Sequence, residues 1–296
     1  MDITRIGPRN GEIEFVGEVS GIDLTRPISA EQATAIEAGM DRFGVLVFHD
    51  QHFTDEQQVA FSLNFGELEA TLANLTKPAD RRLKLNIADI SNLDKNNELL
   101  ARDDRRRMFN LGNMLWHSDS SFKATPAKYS LLSGRQVPKA GGDTQFADMR
   151  AAWESFDAET KALIEPLITE HSLIYSRGQL GFTEFDAEER RDFAPVLQRL
   201  VRTHPVTGRK SVFLSSHIGV IRGMPTPEAR MLIRDLSELA TAPAFTHTHR
   251  WRDGDLVMWD NRTTMHRARR YNDVGEIRDM RRTTIAGAAT VAQQAA

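Results

Sequence analysis

The chain has 296 residues, with 38 lysines and arginines against 41 aspartates and glutamates, for a formal charge of −3. That near balance argues against nucleic acid as a partner, because phosphate-tracking proteins carry a basic excess or stripe. Hydrophobic residues at 40% and charged residues at 27% suit a packed globular chain, and the absence of cysteine excludes disulfides, thiolate metal sites and cysteine nucleophiles.

The opening MDITRIGPRNGEIEF has no apolar segment of the kind a secretion signal needs. The densest early apolar run, Val45 to Phe48, is far short of the roughly 20 residues that span a bilayer. A soluble, cytoplasmic protein with no membrane partner is expected, and no repeat, low-complexity tract or linker divides residues 1–296, which read as a single domain.

Ser29 and Gln32 form a capping-box pattern, and Ala33, Ile36 and Met40 recur at helical spacing up to Gly44, after which Val45–Phe48 is a buried-strand candidate. Thr54 and Gln57 repeat the pattern and start a second helix running through Val59 and Leu63 to Phe65. Leu83, Leu85 and Ile87 alternate with polar residues as in a strand, and the charged stretch from Asp94 to Arg107 reads as a solvated loop. From about residue 115 short strand candidates dominate, with turns expected at Gly134, Gly141-Gly142, Gly208 and Gly254. Two helical inserts interrupt them, one from Asp148 through Trp153 and Leu163, the other beginning Thr226-Pro227-Glu228. Many strands without regular βα alternation point to a mainly β protein with peripheral helices, α+β in class, built as a barrel or sandwich.

The chemistry concentrates in Leu115-Trp116-His117-Ser118-Asp119. Residues two apart on an extended chain face the same side, so His117 and Asp119 can present an imidazole and a carboxylate to one point. Much later Leu256-Val257-Met258-Trp259 leads through a polar turn to His266, a distant single histidine that would complete a two-histidine, one-carboxylate set. Such a set leaves three adjacent positions open on Fe(II). His247 and His249 form a rival pair with no matching carboxylate in sight, His49 and His52 flank a strand end as structural residues, and His171 and His204 carry no signal. Near the C-terminus Arg278, Met280 and Arg282 would share one face of a strand with Arg281 on the other. Two inward guanidinium forks can hold two carboxylates, although a solvated basic strand explains the same pattern. In Gly141-Gly142-Asp143-Thr144 the glycines allow close backbone approach to a ligand, and the Thr144 hydroxyl can donate to the carboxylate that Arg278 would clamp.

Taken in order, WHSDSSF, GGDTQFADMRAAW, RWRDGDLVMWDNRTTMHRARRY and RDMRRTTIAG resemble the TauD/TfdA family of Fe(II)- and 2-oxoglutarate-dependent dioxygenases. WHSDSSF and LVMWDNR are most similar to the aryloxyalkanoate-cleaving TfdA branch, and the resemblance runs from GIDLTRPIS to the last strand. It implies a double-stranded β-helix, a cupin-like jelly-roll core. Its metal ligands fall on His117, Asp119 and His266, its 2-oxoglutarate anchors on Thr144 and Arg278, and its substrate-carboxylate arginine on Arg282, with Arg281 inward as the alternative register. The implied cofactors are Fe(II), 2-oxoglutarate as cosubstrate and O2. The implied partner is a small-molecule carboxylate, and the implied assembly a homo-oligomer.

The implied reaction hydroxylates the carbon beside the ether oxygen of aryloxyalkanoates such as 2,4-dichlorophenoxyacetate, releasing a phenol and glyoxylate with succinate and CO2. Asp119 fills a position that related halogenating enzymes leave vacant, which favours hydroxylation. Substrate selection is expected in residues 70–77, 94–114 and 215–218, with His217 a candidate for hydrogen-bonding the substrate. The alternatives are the same chemistry on an alkylsulfonate or another small aromatic carboxylate, and a catalytically silent jelly-roll that binds zinc or an anion.

Overall fold

Ser29 and Thr54 each nucleate a helix: their side chains accept the N3 amides of Gln32 and Gln57, whose own side chains reach back to the cap amides. The first helix, Ala30–Phe43, stops at Gly44, where a φ of 68° turns the chain and the amide closes on the Met40 carbonyl at 2.8 Å. The second, Asp55–Ser62, tightens into a 3₁₀ turn over Leu63–Phe65. These elements belong to a computed structural model that describes residues 1–70, 81–84 and 86–288.

Among the described residues a seven-stranded sheet runs in the order Asp2–Arg5, Gly17–Ser20, Val45–Phe48, Leu256–Asp260, Ala127–Gln136, Asp279–Ala286 and Ala88–Asp89. Side chains alternate across it. Leu46, Phe48, Leu131, Leu256, Met258 and Ile285 bury one face against Ile36, Met40 and Phe43 of the first helix and Phe61 of the second. Val45, Val47, Leu132, Val257, Trp259 and Met280 on the other face pack with Phe146. Phe146 lies in Thr144–Asp148, the middle strand of a three-stranded antiparallel sheet between Thr246–His249 and Thr264–Ala268. Two sheets therefore face each other across an apolar layer, with the Phe146 and Trp259 rings 5.5 Å apart. The far side of the smaller sheet, including Ala147 and Met265, is covered by Trp153 from the helix Met149–Ser155 and Leu236 from the helix Thr226–Ala240. No helix among the described residues is long and apolar enough to cross a membrane.

Several local expectations are corrected. The strand expected at Leu83–Ile87 shrinks to Ala88–Asp89, which pairs with Arg282 and Arg281; Leu85 lies outside the described residues. Arg82 instead ties this stretch down, bonding Asp89 at 2.7 Å and Asp279 at 2.6 Å. The charged loop contains a short helix, Arg105–Asn110, because Asp104 caps the Arg106 amide. The single helix expected from Asp148 to Leu163 is two, Met149–Ser155 and Ala158–Ile164, since Asp157 accepts the Thr160 amide and starts a new turn. Further short helices cover Leu173–Gly178 and Ala187–Asp192. Gly134 is not a turn but lies within the strand Ala127–Gln136, beside a register shift against Asp279 and Met280.

Candidate active site

His117 is fixed by the backbone before its side chain is considered. It exchanges reciprocal amide bonds with His266, 3.0 and 2.9 Å long, which joins the segment carrying His117 and Asp119 to the outer strand of the smaller sheet. The imidazoles consequently lie 4.2 Å apart, centroid to centroid. Asp119 completes the group: its carboxylate oxygens lie 3.9 Å from His117 Nε2 and 3.7 Å from His266 Nε2. Among the described residues these three form the one cluster of such side chains whose ligand-type atoms all fall within 4.8 Å of one another, and all three are buried.

The polar turn after Leu256–Asp260 braces Asp119. The Asn261 side-chain oxygen accepts the Asp119 amide at 3.0 Å and the Trp259 indole N–H at 3.1 Å. Its nitrogen donates to Ser130 Oγ at 3.0 Å, and Ser130 in turn donates to Asp119 Oδ2 at 2.7 Å. Arg282 donates to Asp119 Oδ1 at 2.6 Å. Burial opposes ionisation of this carboxyl, but Arg282, the two imidazoles and Ser130 overcome it and hold its pKa well below the usual carboxylate range. Burial pushes both histidines below their ordinary value, so each keeps a neutral ring with a lone pair to give. His117 Nδ1 lies 2.7 Å from the Leu115 carbonyl, which makes it the protonated nitrogen and leaves Nε2 as donor. His266 Nδ1 is buried without a hydrogen-bond partner. Two neutral imidazoles and one ionised carboxylate, without sulfur, match a divalent ion such as Fe(II).

Two cavities of about 210 and 310 Å³ meet at His117 and Arg282. The larger is lined by Arg278, Thr144, Tyr271 and His266. Arg278 is buried; its guanidinium makes one long hydrogen bond, 3.5 Å to the Ile90 carbonyl, and lies 6.0 Å over the Tyr271 ring, while its backbone amide is held by Asn92 at 2.8 Å. Burial pulls its pKa down, and the neighbouring Tyr271 partly offsets this. Thr144 Oγ1 accepts the Trp251 indole N–H at 3.0 Å, leaving the hydroxyl proton free to turn into the cavity. The smaller cavity is lined by Phe109, Phe122, Leu173, Arg177 and His217 as well as Asp119. His217 is buried, its Nδ1 lies 2.8 Å from Ser176 Oγ, and its ring meets Phe122 edge-on.

The structure thus brings together His117, Asp119 and His266, sets Arg282 against them, and places Thr144 with Arg278 on one cavity and His217 on the other. Arg281 points to the opposite face of its strand, where it pairs with Asp279 and lies 3.5 Å from Asp55. At Gly141 a side chain would collide with the Arg270 carbonyl, 2.4 Å away, and the Gly142 amide bonds that same carbonyl, so both glycines let this turn pack closely on the segment that follows His266. Of the rival pair His247 and His249, only His249 meets a carboxylate, Asp255 at 3.0 Å, which also lies 2.6 Å from His49; these residues stand apart from the cluster above. Substrate-loop residues 71–77 lie outside the described residues. Asn261, Ser130, Trp251 and Arg177 escaped the sequence reading; the W-D-N-R turn after the strand was the available signal for Asn261, and the others had none.

The chain matches a family model described as taurine catabolism dioxygenase TauD, TfdA family, over residues 3–284. It is 42% identical to an alpha-ketoglutarate-dependent 2,4-dichlorophenoxyacetate dioxygenase of Burkholderia sp. (strain RASC), covering 92% of each chain. It is 36% identical to an (S)-phenoxypropionate/alpha-ketoglutarate-dioxygenase of Sphingobium herbicidovorans, covering 85% of each. Among solved structures, that of AAD-2 in complex with Mn(II) and N-oxalylglycine superposes with a TM-score of 0.90 at 56% identity, covering 97% of this chain and all of the other. With the residues and the relatives in agreement, the chain belongs to the TauD/TfdA family of dioxygenases.

Proposed function

We propose that this protein is an Fe(II)- and 2-oxoglutarate-dependent dioxygenase that hydroxylates the carbon beside the ether oxygen of aryloxyalkanoates. The carrying observation is the buried His117, Asp119 and His266 cluster at the junction of two cavities, one holding the buried Arg278 and the other lined in part by Phe109, Phe122 and Leu173. The similarity to phenoxyacetate and phenoxypropionate dioxygenases supplies the substrate class. We read the two facing sheets as a double-stranded β-helix in one domain, with the site at its mouth.

His117, Asp119 and His266 would hold the metal. When bound, ferrous iron with 2-oxoglutarate and O2 supplies the oxidising power that places one oxygen atom in the substrate C–H bond and the other in succinate, with loss of CO2. Arg278 and Thr144 hold the distal carboxylate of 2-oxoglutarate through a guanidinium fork and a hydroxyl donor. Arg282 keeps Asp119 ionised and turns its remaining donors to the carboxylate of the organic acid. Phe109, Phe122 and Leu173 enclose the aromatic ring and keep water from the reacting carbon. The neutral His217 is positioned to hydrogen-bond the bound acid. The hydroxylated product of an aryloxyacetate is a hemiacetal, whose C–O bond to the ring oxygen breaks to give a phenol and glyoxylate.

The test is 2-oxoglutarate-dependent phenol release from a panel of phenoxyacetates, with succinate measured in parallel. Equimolar phenol and succinate are expected. Turnover of an alkylsulfonate with no phenol from any aryloxy acid would transfer the same chemistry to another substrate class, and no succinate from any acid would leave only a binding protein.

A further inference from the structure

Arg177 has no part in the scheme above, yet it faces the same cavity. It lies in the last turn of the helix Leu173–Gly178, is 5% exposed, and lines the cavity that also holds Asp119, Arg282 and His217. Its hydrogen bonding is poor: Nη1 reaches Ser176 Oγ at 3.3 Å and Nε is buried without a partner. The guanidinium lies 4.4 Å over the Phe109 ring, and among the described residues no carboxylate pairs with it. Burial and the nearby Arg282 push its pKa down to about 10, so it still carries its charge at neutral pH. Arg282 is already neutralised by Asp119 at 2.6 Å. Arg177 is therefore a buried cation of this cavity with no counter-ion among the described residues, and a buried unpaired charge is expensive to keep unless a ligand supplies its partner.

Gly112 shows that this placement is built in. A Cβ there would sit 2.2 Å from Arg177 Nη1, so the guanidinium occupies the space that any other residue would fill. The backbone at Gly112 is not in the left-handed region, which leaves accommodation of Arg177 as the demand for glycine.

We propose that Arg177 is a second anchor for the substrate anion: the carboxylate of the organic acid sits between Arg177 and Arg282, each donating to it, with Phe109 holding the Arg177 fork in place. A carboxylate has about four acceptor sites and can take both forks, and the shared grip would make a negatively charged group a requirement for entry. This inference rests on the proposed aryloxy-acid substrate, and its test separates the two.

The protein loaded anaerobically with Fe(II) and 2-oxoglutarate is titrated with phenoxyacetate and with phenoxyacetamide, its uncharged counterpart, following the visible absorption of the complex and the heat of binding. Arg177→Gln and Gly112→Ala should each weaken phenoxyacetate by roughly 10- to 100-fold, shift phenoxyacetamide less than about threefold, and leave 2-oxoglutarate affinity within about twofold, while Arg177→Lys recovers part of the loss. Unchanged phenoxyacetate affinity in both variants overturns the proposal, as does equal weakening of acid and amide, which is the mark of a merely structural arginine. A wild-type protein that ignores phenoxyacetate but binds another organic acid refutes the aryloxy substrate alone, and the same variants titrated with that acid and its amide then decide the role of Arg177. Binding of no organic acid refutes both.

Discussion

Replacing Arg278 by methionine should have two effects of opposite sign. Arg278 is buried, has no acidic partner among the described residues, and reaches one carbonyl at 3.5 Å. In the free protein this desolvated charge lacks compensation, so an apolar side chain of similar reach should leave stability unchanged or raise it by about 1 kcal/mol. Toward 2-oxoglutarate the balance reverses. Two charge-assisted hydrogen bonds at roughly 1.5–3 kcal/mol each, partly offset by recovered burial, predict a loss of about 3–4 kcal/mol, or roughly 100- to 1000-fold in affinity. Thermal unfolding of the metal-free variant measures the first effect, and anaerobic titration of the Fe(II) protein with 2-oxoglutarate measures the second. A variant that binds 2-oxoglutarate normally but unfolds at lower temperature would make Arg278 a structural cation and refute the assignment.

Other expectations follow from the same geometry. His117→Ala and Asp119→Ala should abolish tight Fe(II) binding, read by equilibrium dialysis, and retention of metal by either would remove that residue from the ligand set. Asn261→Ala frees Asp119 and Ser130 together and should lower Fe(II) affinity by roughly 10- to 100-fold with the fold intact by circular dichroism; unchanged affinity would deny it an orienting role. Trp251→Phe removes the donor to Thr144 Oγ1 and should weaken 2-oxoglutarate by about 1 kcal/mol, roughly fivefold, whereas full affinity would make that contact dispensable. His171 is buried against Phe213, and burial, reinforced by Arg202, drives its pKa down to about 3. Below pH about 6.5 the unfolded chain therefore takes a proton that the folded one refuses, and stability falls as pH drops from 6.5 towards 3, by about 2 kcal/mol at pH 5. In urea unfolding, His171→Asn should show a shallower decline than wild type between pH 6.5 and 5; parallel curves would refute this linkage.

What was legible in the sequence was what depends on near neighbours along the chain. The two capping boxes, Gly44 and the strand Val45–Phe48 are local signals; His117 and Asp119 are near neighbours too, and a single backbone bridge to His266 brings the third side chain to them. Alternation also placed Arg282 inward with Met280 and Arg281 outward, as in the observed strand. The strand expected over Leu83–Ile87 is reduced to Ala88–Asp89, with Leu85 outside the described residues; Arg82 beside it is held by Asp89 and by Asp279, which is remote in sequence. The break between the two helices after Asp148 was a local signal overlooked, an aspartate three residues before Thr160. Arg177 was illegible in principle: a charged residue at the end of a short helix is ordinarily solvated, and only the tertiary contact with Gly112 and Phe109 shows it turned inward.

The paired amide bonds between His117 and His266 have a consequence for how this protein handles its ion. In a zinc finger the ion itself draws distant ligands together, so chelation unravels the domain. Here sheet pairing has already closed that long loop and parked both imidazoles side by side, with Asp119 clamped by Ser130 and Arg282. The apoprotein is then expected to be a durable, reloadable receptacle: stripping it with a chelator should cost activity while leaving the circular dichroism unchanged, and added Fe(II) should restore it without a refolding step.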